Sequence, residues 1–357
     1  MTEIWFSYGP TEAVLDVRAE NEGARYSSDA GEMDDGALSA ALAEAGLAGI
    51  PDLAVLHDTP AVRRTVASLF MLCAQKSAPP PRVLADRGVL RSLRAGLPEG
   101  CRSAELEASD PGGLVFVSEV EFDGLFGYET AATRLLRRYG GEAMLTAYSR
   151  RDGNSPSPGR RTGAYEAALG FADRFEARAV DVVAGSGGLS GVWCGHPSKS
   201  GAPAMLEGSG VLDAEPHAAA IIGTGRSAGN ATLSGSLRSL WNCAGAVKKG
   251  GLAILVAECA GGLGSAALRR RVEGGLPDAS LRSPARYVGG MEDLLYLADA
   301  RDRYQVALVS VLPELYSEKL GIVPVAGAGA AMGHALKAQG QRLKAAVITD
   351  GARILLR

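Results

Sequence analysis

Residues 218–257 read AAAIIGTGRSAGNATLSGSLRSLWNCAGAVKKGGLAILVA, and this stretch decides the fold class. Two short apolar runs, residues 218–222 and 252–257, predict buried strands. Between them, apolar residues recur at intervals of 4, 3, 4 and 3, which predicts one stripe along a helix. Those residues are Leu233, Leu237, Leu240, Ala244 and Val247. Residues 248–251 (KKGG) then place cations and glycines where a helix would end. The stretch therefore predicts a strand, helix, strand unit.

The rest of the second half continues this alternation. Further strands are predicted for residues 305–311, 322–325 and 345–348, and further helices for residues 292–299 and 329–339. The order predicts a mostly parallel, doubly wound sheet.

The first half is less regular. Apolar runs predict strands for residues 4–8, 53–56, 114–118 and 180–184. Helices are predicted for residues 61–74 and 162–175. A chain of 357 residues exceeds the usual size of one domain. We therefore expect an α/β protein of two Rossmann-like domains, residues 1–205 and 206–357, whose mostly parallel sheets face an interdomain cleft.

Composition and charge argue against several classes of partner. With 37 Lys and Arg against 40 Asp and Glu, the net charge of −3 provides no basic field for nucleic acid or anionic lipid. No apolar stretch approaches the roughly 18 residues of a membrane span, and the first residues lack a signal-peptide pattern. The five cysteines form no C-x-x-C pair. We expect a cytoplasmic protein without a membrane or nucleic-acid partner.

A glycine-rich turn follows the predicted strand at residues 218–222. Its spacing, GTGRSAG over residues 223–229, departs by one residue from the dinucleotide fingerprint G-x-G-x-x-G. No acidic residue ends a second strand about 20 residues further on, where ribose would be bound. The turn is more typical of a structural βα connection than of a phosphate site. Gly223, Gly225 and Ser227 nevertheless stay candidates for ligand binding.

A polar cluster ends the predicted strand at residues 53–56. His57 and Asp58 stand where parallel sheets place functional side chains, so they are candidates for acid-base catalysis. Capping of the following helix by Asp58 or Thr59, ahead of Pro60, is the structural alternative. Glu258, which follows another predicted strand, suits either close packing or a place in the cleft.

Several segments together resemble the nickel-dependent lactate racemase family. They are residues 5–9 (WFSYG), 56–60 (LHDTP), 152–156 (DGNSP), 249–264 (KGGLAILVAECAGGLG) and 350–351 (DG). The family's counterparts are an opening strand with Tyr-Gly, a Ser-Asp-x-Thr-Arg-Pro motif, an Asp-Gly-Asn-Pro loop, a Pro-Gly-Gly turn before Ala-Glu-Cys-x-x-Gly-x-Gly, and a terminal strand. The resemblance implies an isomerase with two α/β domains and its active site in the cleft between them.

One segment departs from the family pattern, and it is the segment that corresponds to the family's cofactor attachment site. Family enzymes carry a nickel-pincer nucleotide attached to a lysine, and a later histidine completes the nickel sphere. The counterpart, residues 122–134 (FDGLFGYETAATR), contains neither lysine nor histidine. No histidine occurs between residues 58 and 195. Because arginine stays protonated and cannot act as the missing base, we expect no cofactor and no metal.

Residues that contact the substrate could be kept although the residues for catalysis are lost. The resemblance places Gly235 and Arg238 where the family presents Gln and Lys to the substrate carboxylate, and Arg238 could hold a carboxylate through two hydrogen bonds. Thr59, Arg63 and Arg134 are further candidates for binding an anion.

Four hypotheses follow. The first is a lactate racemase-like protein that binds a small carboxylate or anion in its cleft, and that could form a homo-oligomer. The second is an active 2-hydroxy-acid racemase or epimerase whose cofactor is attached elsewhere. The third is a nucleotide-dependent Rossmann-type enzyme, and the fourth is a structural or regulatory subunit.

Overall fold

Two six-stranded sheets organise the chain. The computed structural model describes residues 2–28, 30–98, 100–107, 111–185, 187–225 and 228–357. The strands are β1 Thr2–Tyr8, β2 Thr11–Val17, β3 Glu22–Tyr26, β4 Asp52–Val55, β5 Arg82–Ala85, β6 Ser103–Glu105, β7 Val115–Glu119, β8 Glu121–Asp123, β9 Gly127–Glu129, β10 Arg178–Gly185, β11 Gly188–Gly195, β12 Val211–Leu212, β13 His217–Gly223, β14 Val247–Val256, β15 Gln305–Val309, β16 Val323–Val325, β17 Ala345–Ile348 and β18 Leu355–Leu356.

The helices fill the connections between these strands. They are α1 Asp35–Glu44, α2 Pro60–Gln75, α3 Arg87–Leu93, α4 Ala131–Tyr139, α5 Glu142–Ser149, α6 Gly163–Ala172, α7 Ala202–Gly210, α8 Leu233–Asn242, α9 Ala266–Val272, α10 Ala279–Arg282, α11 Met291–Arg303, α12 Glu314–Lys319 and α13 Ala328–Gln339. Within the described ranges, none of these helices is long and apolar enough to cross a membrane.

The first sheet has the strand order β11-β10-β7-β4-β5-β6, and the second has the order β16-β15-β14-β13-β17-β3. In the first sheet only β11 runs antiparallel to its neighbour. In the second sheet every pair is parallel. The predicted α/β class with mostly parallel sheets is confirmed.

Helices cover both faces of each sheet. In β4, Leu53 and Val55 pack in one apolar cluster with α1 and α2, whereas Ala54 between them belongs to another. That other cluster also contains residues of the second sheet and of α8, such as Ile222 and Leu240. Because strand side chains alternate between the two faces, one face of each sheet meets a core that both halves of the chain share.

Residues 2–26 pack with the second sheet. The strand β3 pairs with β17, and the β1–β2 hairpin contributes Phe6 and Leu15 to a cluster with β13, β14 and α13. The second sheet therefore draws one strand from the start of the chain. The division into domains at residues 1–205 and 206–357 stays a prediction. The pairing of β3 with β17 joins residues from the two sides of that boundary.

The connection between α8 and β14 differs from the predicted one. The helix ends at Asn242, whose side-chain amide donates to the carbonyls of Gly351 and Ala352, and β14 begins at Val247. The pairing register of β13 with β14 shifts between His217–Val247 and Ala219–Leu252. The KKGG segment therefore forms an irregularity within the strand, with Gly250 at φ +76°, rather than the end of the helix.

Candidate functional site

The carboxyl end of β4 carries the polar cluster that the sequence singles out. Thr59 caps α2, because its hydroxyl accepts a hydrogen bond from the Val62 amide at 3.2 Å and Pro60 follows it. Asp58 accepts two hydrogen bonds from Arg63, at 2.6 and 2.5 Å, and a third from Ser92. Burial opposes ionisation of Asp58, but the bonds from Arg63 and Ser92 outweigh it and lower its pKa. The guanidinium group of Arg63 is thus already paired with Asp58.

His57 lies beside this cluster in an unusual environment. Both ring nitrogens are buried and have no hydrogen-bond partner among the described residues. Burial, together with the nearby Arg134, lowers the pKa of His57 to about 3. His57 is therefore neutral at physiological pH.

A network of ion pairs joins the two halves of the chain. Arg238 on α8 donates to Glu121 on β8 at 2.5 Å and to Glu129 on β9 at 3.0 Å. Arg134 on α4 donates to Glu121 at 2.8 Å. Arg137 lies 3.2 Å from Glu129. We call these five residues the bridging network.

The network fixes the charge of its members. Burial raises the pKa of Glu121, but Arg238 and Arg134 outweigh it and lower that pKa to about 2. Arg137 and Arg238 likewise hold the pKa of Glu129 well below its usual range, against burial. Arg134 and Arg238, two arginines predicted to bind an anion, are therefore already paired with carboxylates of the protein.

A cavity of about 310 Å³ lies against the network, between the two halves. The first half contributes the turn after β8 and Arg137, and the second half contributes α8, the start of α9 and α11. We call it the central cavity. Its polar and aromatic lining consists of Asp123, Arg137, Ser234, Arg238, Trp241, Ser265, Tyr287, Glu292, Asp293 and Tyr296.

The polar groups of the central cavity are linked to one another. Ser234 donates to Asp293 at 2.6 Å, and Tyr287 donates to Glu292 at 2.9 Å. Arg137 donates to the same Glu292 at 2.6 Å. Burial and the neighbouring Glu292 raise the pKa of Asp293 to about 7. Asp293 can therefore hold or release a proton near neutral pH.

Comparison with known proteins defines the fold. No family model matches the sequence, and no curated protein matches it. A solved lactate racemase apoprotein from Thermoanaerobacterium thermosaccharolyticum matches over 100% of both chains, with a TM-score of 0.74 and 16% sequence identity. The chain has the lactate racemase fold. A crystal structure of a Thermotoga maritima protein, from a structural genomics consortium, covers 92% of this chain and 99% of its own, with a TM-score of 0.66 and 9% identity.

A second opening shares no lining residue with the central cavity. It is an open groove of about 870 Å³ whose lining includes Trp5, Gly9, Gly225 and Glu258. A side chain on Gly225 would meet the carboxylate of Asp350. Two acidic groups therefore lie close to the glycine-rich turn, which disfavours a bound phosphate.

The predicted site residues separate into distinct places. Arg238 lines the central cavity, and Gly225 and Glu258 line the open groove. Gly223 packs against Phe6. Ser227 lies outside the described residues. The other candidates are used in the contacts described above: Thr59 as a helix cap, Arg63 on Asp58, Arg134 in the bridging network, and His57 beside that network.

The acidic residues of the central cavity and of the bridging network were missed from sequence. Glu121 and Asp123 lie within five residues of the end of the predicted strand at residues 114–118, and carboxylates in that position could have been noticed. Glu292 and Asp293 open a helix, where acidic residues are common for electrostatic reasons alone. Their position in the sequence therefore did not distinguish residues that line a cavity from ordinary acidic residues at the start of a helix.

Proposed function

We propose that this protein binds a small carboxylate in the central cavity and does so without nickel-pincer chemistry. The observation that carries the proposal is that the guanidinium groups of Arg137 and Arg238 line the same cavity. A guanidinium has five N–H donors, and the bonds of Arg238 to Glu121 and Glu129 use two of them. Donors of Arg238 thus remain for a ligand carboxylate.

The side chains at the cavity do not fit a nickel-pincer group. Its lining includes neither lysine nor histidine. Within the described part of the chain, no three His, Cys, Asp or Glu side chains are grouped so that they could hold a metal ion. Arg134, which ends the segment that resembles the family's lysine-bearing one, is paired with Glu121. These observations support the absence of the cofactor, which stays a proposal.

A thermal-shift screen of the full chain tests the proposal. We expect small carboxylic acids to raise the melting temperature and their uncharged amides to leave it unchanged, because a ligand of the folded state stabilises it by about 2.7 kcal/mol at a hundred times its Kd. Dinucleotides belong in the same screen. A shift with dinucleotides alone, or equal shifts with acids and amides, would overturn the proposal.

A pair of serine variants locates the site. Ser234→Ala removes the hydroxyl that donates to Asp293 in the wall of the central cavity, so we expect it to disturb the wall that meets the ligand and to weaken the carboxylate response several-fold. Ser209→Ala, on α7 and outside the cavity, is the matched control and should respond as the parent protein does. Equal responses of both variants would place the ligand elsewhere.

The cofactor part of the proposal needs a separate measurement. Protein purified from its native host should contain less than stoichiometric nickel and show no absorbance beyond that of its aromatic residues. Stoichiometric nickel together with a pincer absorbance would favour an active racemase instead.

We also propose a cytoplasmic location. All five cysteines are free, three of them buried, which suits a reducing compartment. Fusion to a fluorescent reporter in the native host, followed by cell fractionation, tests this location.

A further inference from the structure

The charge of the central cavity limits the ligands that it can accept. The five carboxylates around it and in the bridging network are Glu121, Asp123, Glu129, Glu292 and Asp293. Three guanidinium groups face them, those of Arg134, Arg137 and Arg238. A ligand with a single negative charge would add to an existing excess of carboxylates.

Aromatic rings form part of the same wall. Tyr287 and Tyr296 stand on either side of Glu292 and Asp293 in sequence, and all four line the cavity together with Trp241. Trp241 and Tyr296 pack edge to face, with ring centroids 5.7 Å apart. Carboxylates and aromatic rings are the groups that bind an ammonium ion, through charge and through the electron-rich ring faces.

Trp241 adds an independent observation. Its side chain is 3% exposed, and its indole N–H has no acceptor among the described residues. Because that N–H is fully buried, Trp241 contributes its aromatic surface to the cavity rather than a hydrogen-bond donor.

We infer that the ligand is an aminocarboxylate, whose carboxylate contacts Arg137 and Arg238 and whose ammonium contacts Glu292 and Asp293. The inference rests on the proposed carboxylate binding and extends it. A zwitterion supplies an anion to the arginines and a cation to the surplus carboxylates, and it brings no net charge of its own into the cavity.

Protonation of Asp293 gives the inference a signature of its own. Because burial and Glu292 raise its pKa to about 7, Asp293 is partly protonated in the free protein at neutral pH. An adjacent ammonium favours the carboxylate form and so lowers that pKa. Binding of an amino acid should therefore release protons, and its affinity should rise between pH 6 and pH 8.

Calorimetry with matched ligand pairs tests the inference. The pairs differ only in the group at carbon 2: alanine and lactate, serine and glycerate, and glutamate and 2-hydroxyglutarate, each as both enantiomers. We expect at least one amino acid to bind about tenfold or more tightly than its hydroxy acid. Hydroxy acids that bind equally or better would overturn the inference and leave the proposed carboxylate binding in place. If no member of any pair binds, both fail.

Asp293→Asn provides the matched variant, because it removes the charge and nearly preserves the shape. We expect it to weaken amino-acid binding about tenfold, to abolish proton release and to leave hydroxy-acid binding within about twofold. Asp302→Asn, on an exposed position of the same helix, is the control and should change neither. Melting curves of both variants establish that they are folded. Equal loss of both ligand classes in Asp293→Asn would overturn the inference.

Discussion

At the scale of single residues, burial decides which side chains are available for chemistry. His57 and Asp58 are adjacent in sequence, but the first has no partner for its ring nitrogens and the second is held by Arg63 and Ser92. Asp293 is buried yet lines a cavity, and burial and Glu292 raise its pKa to about 7. Residue type and position in the sequence do not distinguish these cases, because burial depends on segments far away in the chain.

Replacement of His57 should alter the dependence of stability on pH. The pKa of His57 is lowered in the folded protein, so the unfolded chain takes up a proton first as the pH falls below about 6.5. The wild-type protein should therefore lose about 1–2 kcal/mol of unfolding free energy from this group between pH 6.5 and pH 5. In His57→Phe that loss should be absent. Urea unfolding at both pH values measures the difference, and parallel curves for the two proteins would contradict the assigned burial.

The capping role of Thr59 could be predicted at this scale, and it is confirmed by the bond from the Val62 amide. Capping follows from local sequence alone. The partners of Arg238 could not be predicted, since Glu121 and Glu129 lie more than a hundred residues away in sequence.

At the scale of elements, strands with continuous apolar runs were predicted well. The strand predicted at residues 345–348 has those same bounds in β17, and the helix predicted at residues 61–74 is extended by one residue at each end in α2. The short β8–β9 hairpin was missed. Each of its strands has three residues, too few to show an alternating pattern. This hairpin nevertheless carries the carboxylates of the bridging network.

Gly127 at the start of β9 is required by the turn. It has φ +88°, and a side chain there would overlap the carbonyl oxygen of Arg160. Gly250 has a similar φ of +76° but open space around it. We expect Gly127→Ala to lower the unfolding free energy by about 3 kcal/mol or more, and Gly250→Ala by about 1 kcal/mol, since only the first adds a steric overlap to the backbone strain.

Urea unfolding of the two glycine variants separates these contributions. Equal losses would mean that the β8–β9 turn can move away from Arg160, and that the hairpin does not hold the network's carboxylates rigidly.

At the scale of the whole molecule, a shared core and the bridging network connect the two halves. Apolar residues of both sheets form one cluster, and Arg238 reaches from the second half to carboxylates of the first. The parallel α/β architecture could be predicted because strand and helix patterns alternate along the sequence. The position of β3 could not, because a short strand at a sheet edge has no sequence feature that specifies its neighbour.

Loss of Arg238 should destabilise the whole protein. Arg238→Ala leaves Glu121 and Glu129 buried with fewer partners, which should lower the unfolding free energy by about 3–5 kcal/mol. Arg18→Ala is the control. It removes an ion pair with Glu20 in which both side chains are more than 70% exposed, so a loss below about 0.5 kcal/mol is expected.

A charge-balanced variant distinguishes the ion pairs from simple packing. Arg238→Met combined with Glu129→Gln should recover most of the stability that Arg238→Ala loses, because Glu121 then keeps Arg134 and Arg137 keeps Glu292, so that no charge is left unpaired. Failure to recover it in equilibrium urea unfolding would show that the shape of the arginine matters more than its charge.

The pairing of β3 with β17 sets an order of events during synthesis on the ribosome. Residues 22–26 are made early, but their partner, residues 345–348, is made more than 300 residues later. The edge of the second sheet can therefore close only after that partner has left the ribosome. Until then the nascent amino-terminal segment is an unpaired strand, a natural substrate for chaperones that shield exposed backbone.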